Sequence, residues 1–308
     1  MTLQQLEYIL AVNQHRHFGR AAEHCHVTQP TLSAMIQKLE EELGVKLFDR
    51  NVQPVCPTSI GERIIDQARQ VLNQSAHIRE IVDEEKGAMV GTFRLGILPT
   101  IAPYLLPRFY PHFLELYPKL DVQVSEMKSA DIELALEKGD LDAAIIATQP
   151  ENKQLIAEPL FYEEFYGYVS TLEPVFKEKV IRTSDITGKH LWLLDEGHCF
   201  RDQLVKFCHI KGVQDSRKAY RLGSMETFMR MVESGRGVTI IPELSLSQLN
   251  TCQQELVRPF AVPRPAREVR LVIPADFVRH TLLGHLKREI ISSIPNEMMQ
   301  LKNTQYLV

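Results

Sequence analysis

TQPTLSAMIQKLEEEL, residues 28–43, decides how the first part of this chain folds. Leu32, Ile36, Leu39 and Leu43 recur at i, i+4, i+7 and i+11, a spacing that places them on one face of a helix and predicts that face to be buried. Thr28 is placed to cap this helix, and Pro30 falls in its first turn, where the missing N–H leaves no partner unmet. The opposite face presents Gln29, Thr31, Ser33, Gln37 and Lys38, with Pro30 beside them. Small polar side chains there are what the second helix of a helix-turn-helix needs to enter a major groove and reach base edges. A compact three-helix bundle with no role on DNA has the same spacing.

Upstream, Leu3, Leu6, Ile9 and Leu10 mark a first amphipathic helix, and Phe18, Ala21 and Ala22 a short second one. Downstream, residues 51–57 hold two prolines and read as a loop or wing. The charge of this region argues against a broad phosphate-binding surface: Arg16, Arg20, Lys38, Lys46, Arg50 and Arg63 face Glu7, Glu23, Glu40, Glu41, Glu42, Asp49 and Glu62. Neutralisation of phosphates then falls to a few well-placed residues, each of which matters more.

Ser59 and Glu62 form a capping-box pattern that opens a long helix. Along it Ile64, Ala68, Val71, Ser75, Ile78 and Val82 alternate spacings of four and three, the seam of a coiled coil, which suits dimerisation; packing on the rest of the chain is the other use of such a stripe. The acidic run at 83–85 and Gly87 end it.

A chain of 308 residues suits two or three domains, and 44% hydrophobic with 24% charged residues describes a globular protein. No apolar run approaches the roughly 20 residues of a membrane span, and the N-terminal decapeptide lacks the basic and apolar regions of a signal peptide, so a cytoplasmic protein without membrane association is expected. Five cysteines are too few and too scattered for a secreted disulfide framework. The net charge of −4 carries no whole-chain signal for nucleic acid.

From residue 92 onward, short apolar strands alternate with helical patterns. Strands are expected over 93–98, 122–125 and 143–147, with helices over 104–116 and 130–138. The alternation resumes with strands over 166–169, 191–194, 220–222 and 238–241, and helices after Gly197 and over 225–233. This predicts parallel α/β units, whose ligands bind at the carboxyl ends of the strands. Thr100 follows such a strand and Ser224 caps such a helix; Gly235 and Gly237 read as a helix end and turn, and no phosphate-binding glycine fingerprint occurs.

DEGHCFRDQLVKFCH, residues 195–209, holds the chemistry. As a helix it would stack Phe200, Leu204, Phe207 and Cys208 on one apolar face and leave Cys199 at its start. There the helix N-terminus and Arg201 favour the thiolate, while Cys208 has no such help. Nine helical residues rise about 13.5 Å, whereas a disulfide needs its Cα atoms within about 7 Å, so a bond between the two would have to unwind the helix. That suggests a redox switch. Three other readings stay open: unrelated cysteines, a metal site of His198, Cys199, Cys208 and His209, or a catalytic thiol with His198 as its base.

The sequence AAEHCHVTQPTLSAMIQKLEEELGVKLFDR (21–50) resembles the DNA-binding signature of the LysR-type transcriptional regulators, and the layout resembles that family over nearly the whole chain. EHCHVTQPTLS, GILPTIAPYLLP (96–107) and above all DEGHCFRDQ (195–203) with Cys208 are similar to its hydrogen-peroxide-sensing members. The expected organisation is a winged helix-turn-helix domain over 1–58, a linker and dimerisation helix over 59–90, and a two-lobed α/β regulatory domain of the periplasmic-binding-protein kind over 91–308. Lobe I is expected at about 91–161 and 267–308, lobe II at about 162–266.

The resemblance implies that peroxide oxidises Cys199 to a sulfenic acid, which Cys208 resolves as a reversible disulfide. It implies a peroxide pocket of Thr100, Ser129, His198, Arg201, Asp202 and Arg267, DNA contacts from Gln29, Pro30, Thr31, Ser33, Gln37, Lys38 and Arg50, and dimerisation through Ile64, Ala68, Val71, Ile78 and Val82. Ser129 stands where a threonine is usual and keeps the hydroxyl; the segment NVQPVCPTS carries no basic residue. Cys25, Cys56 and Cys252 are read as structural. The implied partners are hydrogen peroxide, double-stranded DNA with inverted-repeat promoter sites, a homo-oligomer (a dimer or tetramer), RNA polymerase and a thiol reductant system, with no cofactor and no metal. The function expected is a peroxide-responsive regulator of oxidative-stress genes rather than an enzyme. The alternatives are a regulator of the same family that senses a small metabolite, and a cysteine-dependent peroxidase.

Overall fold

The computed structural model describes residues 1–186, 190–194 and 224–308, and it divides into two compact units, Met1–Ala88 and Met89–Val308. The segment 195–209, and the strand expected over 220–222, lie outside the described residues.

The first unit opens with three helices, α1 (Leu3–His15), α2 (Phe18–His24) and α3 (Gln29–Leu43). Each start is chemically specified. Thr2 and Gln5 form a reciprocal capping box, the His17 ring nitrogen accepts from the amides of Gly19 and Arg20, and the Thr28 hydroxyl accepts from the Thr31 amide. Leu6, Ile9, Val12, Ala21, Ala22, Leu32, Ile36 and Leu39 form the core between them.

Leu43 departs from expectation: it is 38% exposed, and Glu40 is buried instead. The reason is the reversal at Gly44 (φ 69°), after which Leu47 and Phe48 complete the core. The Glu40 carboxylate accepts from the amides of Leu47 (2.8 Å) and Phe48 (3.4 Å) and pairs with Lys46 (3.0 Å) and Arg50 (3.6 Å). A helix-borne acid thus satisfies the backbone of the incoming wing.

The wing is the antiparallel pair β1 (Phe48–Asp49) and β2 (Cys56–Pro57), which leads into α4 (Ser59–Glu85). The helix cap is Thr58, one residue earlier than the Ser59–Glu62 pattern indicated. Thr58 has extended backbone, its Oγ1 accepts from the Gly61 amide (3.0 Å), and it donates to the Lys46 carbonyl (2.7 Å). Gly61 is required here, because a Cβ would lie 2.0 Å from the Leu47 carbonyl oxygen. Ile65 and Ala68 are buried in the core of this unit, with Ile64 and Leu72 packed against it, while Val71, Ile78, Ile81 and Val82 are exposed. The expected seam is therefore divided: its first turns pack on their own unit and only the remainder is open.

The second unit is built on a sheet of order β4-β3-β5-β9-β6-β7. β3 (Gly91–Ile97) runs parallel to β4 (Leu120–Glu126) and to β5 (Ala143–Ile146), with α5 (Ala102–Leu116) and α6 (Ser129–Lys138) as the crossovers. This half matches the parallel α/β expectation. The other half does not. β6 (Leu155–Val169) is antiparallel to β7 (Val238–Pro242), to β8 (Val257–Pro259) and to β9 (Arg264–Pro274), and β9 is antiparallel to β5.

The cause is the long β6–β9 ladder, from Leu155 opposite Pro274 to Glu164 opposite Ala266, which carries the chain between the two lobes and back. β6 begins well before the strand expected at 166, and the residues expected as a strand at 191–194 make only an isolated bridge between Leu191 and Val238. α7 (Met225–Ser234) is capped by Ser224, whose hydroxyl accepts from the Thr227 amide. After Gly235, Gly237 takes φ 132° beneath Trp192; a Cβ there would lie 2.4 Å from the indole nitrogen. The short helix α8 (Thr251–Gln254), the helix α9 (His280–Ser292) and the strand β10 (Gln305–Leu307), parallel to β9, complete the unit. Among the described residues no helix is long and apolar enough to cross a membrane.

Candidate functional site

On the first unit, Gln29, Pro30, Thr31, Gln37 and Lys38 are exposed along α3. Thr31 shares a hydrogen bond with Thr28 (2.8 Å), and the Gln37 amide donates to Glu41 (2.9 Å). Ser33 and Arg50 are brought together: the guanidinium donates to Ser33 Oγ at 3.1 Å and lies 4.8 Å over the Phe18 ring. Ser33 is half-buried and serves this tether, which fixes the wing strand to the helix, so it is a weaker candidate for a base contact than its neighbours. Arg50 also has part of its charge balanced by the buried Glu40.

On the second unit, the carboxyl ends of the parallel strands carry the polar groups. Thr100, three residues past β3, is 3% exposed, and its hydroxyl accepts from Arg267 Nη1 at 2.9 Å while its carbonyl accepts from Nη2 at 3.0 Å. Arg267 is fully buried on β9. Its charge is balanced by Glu163, its register partner on β6, through Nε (2.8 Å) and Nη2 (2.7 Å). The second Glu163 oxygen accepts from the Leu244 amide (3.0 Å), so the pair is hydrogen-bonded as well as neutralised. Ser129 opens α6 just past β4, and its Oγ is buried with no hydrogen-bond partner among the described residues.

Chemically, this is a preorganised donor. With one lone pair of Thr100 Oγ1 held by the guanidinium, its O–H is left to donate. His198, Cys199, Arg201, Asp202 and Cys208 lie outside the described residues. Of the other cysteines, Cys56 and Cys252 are exposed and belong to no core, and the partly buried Cys25 has its thiol pKa raised by burial and by the Glu7 carboxylate, which disfavours its thiolate at neutral pH. Among the described residues no cluster of three His, Cys, Asp or Glu is arranged to hold a metal.

Glu163 was not legible from the sequence as the partner of Arg267. The available signal was a pair of adjacent acids, Glu163 and Glu164, inside the mostly apolar and aromatic run of residues 160–169, where neither can stay unpaired.

A capped helix-turn-helix with an open recognition face, joined to a two-lobed sheet with a buried polar site at its strand ends, defines a DNA-binding transcription regulator with an effector domain. Residues 3–62 match the bacterial regulatory helix-turn-helix protein, lysR family, and residues 86–292 match the LysR substrate binding domain: the chain belongs to the LysR family. Within it, the chain is 38% identical over 272 residues to a hydrogen peroxide-inducible genes activator of Dickeya chrysanthemi, covering 88% of this chain and 89% of the relative. It is 36% identical to the DNA-binding transcriptional dual regulator OxyR of Escherichia coli (strain K12), with the same coverage. Among solved structures, OxyR from Porphyromonas gingivalis is 49% identical with a TM-score of 0.67, covering 71% of this chain and 99% of that one. A full-length OxyR variant from Pseudomonas aeruginosa is 35% identical with a TM-score of 0.75, covering 94% of this chain and 98% of that one.

Proposed function

We propose that this protein is a peroxide-responsive transcription regulator in which Cys199 is the sensing thiol and Cys208 resolves it. The Cys199 thiolate attacks one peroxide oxygen, the O–O bond breaks, and the departing hydroxide leaves as water after taking up a proton; the product is a sulfenic acid. The Cys208 thiol then attacks that sulfur, the S–O bond breaks, a second water leaves and the disulfide forms. A cellular dithiol reductant returns both thiols. Each molecule reacts once per signal, so it acts as a regulator and not as a peroxidase.

The observation that carries this reading is the Thr100–Arg267–Glu163 set. Attack on peroxide develops negative charge on the leaving oxygen, and a dry site with an O–H donor polarised by a neutralised guanidinium stabilises such charge without attracting an anion. Ser129, His198, Arg201 and Asp202 join it in the pocket. Gln29, Thr31, Gln37 and Lys38 read DNA, with Arg50 on the backbone. The exposed part of α4, Val71, Ile78 and Val82, pairs with a second copy, which gives a two-fold dimer and an inverted-repeat site. Tetramer formation on DNA, a contact with RNA polymerase and action in the cytoplasm complete the proposal.

The test is intact-mass analysis before and after one equivalent of peroxide, with operator footprinting of both forms. Wild type should lose two hydrogens and change its footprint. Cys199→Ser should do neither, and Cys208→Ser should gain one oxygen and keep the reduced footprint. Steady turnover of peroxide by excess dithiol, with a footprint indifferent to oxidation, would instead identify a peroxidase.

A further inference from the structure

The three parallel strands carry a third hydroxyl at the level of Thr100 and Ser129. In the sheet, Ile97 of β3 is the partner of Glu126 on β4 and of Ile145 on β5. Three residues further along each strand path stand Thr100, Ser129 and Thr148. The parallel pairing persists past the strand end, since the Leu98 amide still donates to the Ile145 carbonyl (3.2 Å) and the Met127 amide to the Ile97 carbonyl (3.1 Å). Ser129 and Thr148 therefore follow β4 and β5, the two strands that flank the one leading to Thr100.

Thr148 Oγ1 is buried and, like Ser129 Oγ, has no hydrogen-bond partner among the described residues. Buried hydroxyls are ordinarily satisfied, and two unsatisfied ones on either side of a third that a buried arginine holds mark a place for a small polar ligand. The chemistry of the set describes that ligand. Each hydroxyl both donates and accepts, none of the three is charged, and Arg267, the cation that holds Thr100, is already balanced by Glu163. This suits a small neutral molecule that donates and accepts at once, and among the described residues the set offers no uncompensated charge to an organic anion.

We infer that Thr148 is a third hydroxyl of the peroxide site, one that holds the peroxide against Thr100 and sets its specificity; the inference rests on the peroxide-sensing reading above. Thr148→Val keeps the shape and removes the hydroxyl, and Thr148→Ser keeps the hydroxyl. In reduced full-length protein, the rate of Cys199 oxidation by hydrogen peroxide should fall roughly three- to tenfold in the valine variant, the loss of about one hydrogen bond, and stay within about twofold of wild type in the serine variant. Alkylation of Cys199 by iodoacetamide as a function of pH, and the thermal midpoint, should be the same in all three. Oxidation of Thr148→Val at the wild-type rate overturns the inference, as does an equal slowing of alkylation, which would mean that Thr148 acts on the thiol and not on peroxide. If wild-type Cys199 is not oxidised by peroxide at all, the failure belongs to the peroxide reading itself.

Discussion

Glu163 and Arg267 face each other as direct partners across β6 and β9, and their side chains close an ion pair of 2.7 Å at 1% and 0% exposure. Because Arg267 also donates twice to Thr100, this pair holds Thr100 in place. Glu163→Gln should leave the guanidinium buried with its charge uncompensated and cost about 3–5 kcal/mol, whereas Glu163→Leu with Arg267→Met should recover most of the stability and lose the peroxide response. Urea unfolding of the full-length variants, with the second unit followed by Trp192 fluorescence, measures it. An unchanged midpoint for Glu163→Gln would refute the assignment.

Gln29 and Arg50 should separate when DNA binding is measured on matched and mismatched operators. Gln29 is exposed at the start of α3, and Gln29→Ala should relax preference at one base pair, worth about 1–3 kcal/mol. Arg50, tied to Ser33 and stacked on Phe18, positions the wing against the helix; Arg50→Ala should weaken binding to every sequence alike and reduce its salt dependence. Equal loss on matched and mismatched sites for Gln29→Ala would count against a base-reading role.

Val71 and Ile78 are exposed on α4, while Ile65 of the same helix is buried. Ile78→Glu should therefore convert dimers to monomers in sedimentation without lowering the helical content, and Ile65→Glu should unfold the first unit whatever the assembly. Dimers of Ile78→Glu as tight as wild type would remove α4 from the interface.

Glu243 accepts the Glu164 amide at 3.0 Å. Burial raises its pKa above 4.5; the Glu164 hydrogen bond opposes this, and the carboxylates of Glu164 and Glu163 add to the rise. A carboxyl with a raised pKa in the folded state favours the protonated form, so its contribution is full below 4.5 and is lost as pH rises through the folded value. Glu243→Gln, which keeps the acceptor and cannot ionise, should flatten the fall of the thermal midpoint between pH 4.5 and neutrality. Parallel curves for variant and wild type would show that the group does not titrate there.

The helices of the first unit were legible because their causes are local. The spacing of Leu32, Ile36 and Leu39, the Thr28 cap and Pro30 in the first turn all lie within one stretch of chain, and the structure repeats them. The apolar runs of β3, β5 and β7 were legible for the same reason, as fully or mostly buried strands. The burial of Glu40 was not, because the amides it satisfies arrive only after the chain reverses at Gly44. Nor was the division of α4, whose heptad pattern is continuous while its neighbours end after the first turns.

β9 is the clearest case. RPAREVRLVIP, with prolines near both ends and three arginines, has the local character of an exposed loop, yet it is a central strand with Arg267 at a fully buried position. What decides this is Glu163, 104 residues away in the chain, which neutralises a charge that could not otherwise leave water. Sequence periodicity reports which faces are apolar, but the partner that makes a buried charge tolerable is set by strand register, and register exists only once the sheet has formed.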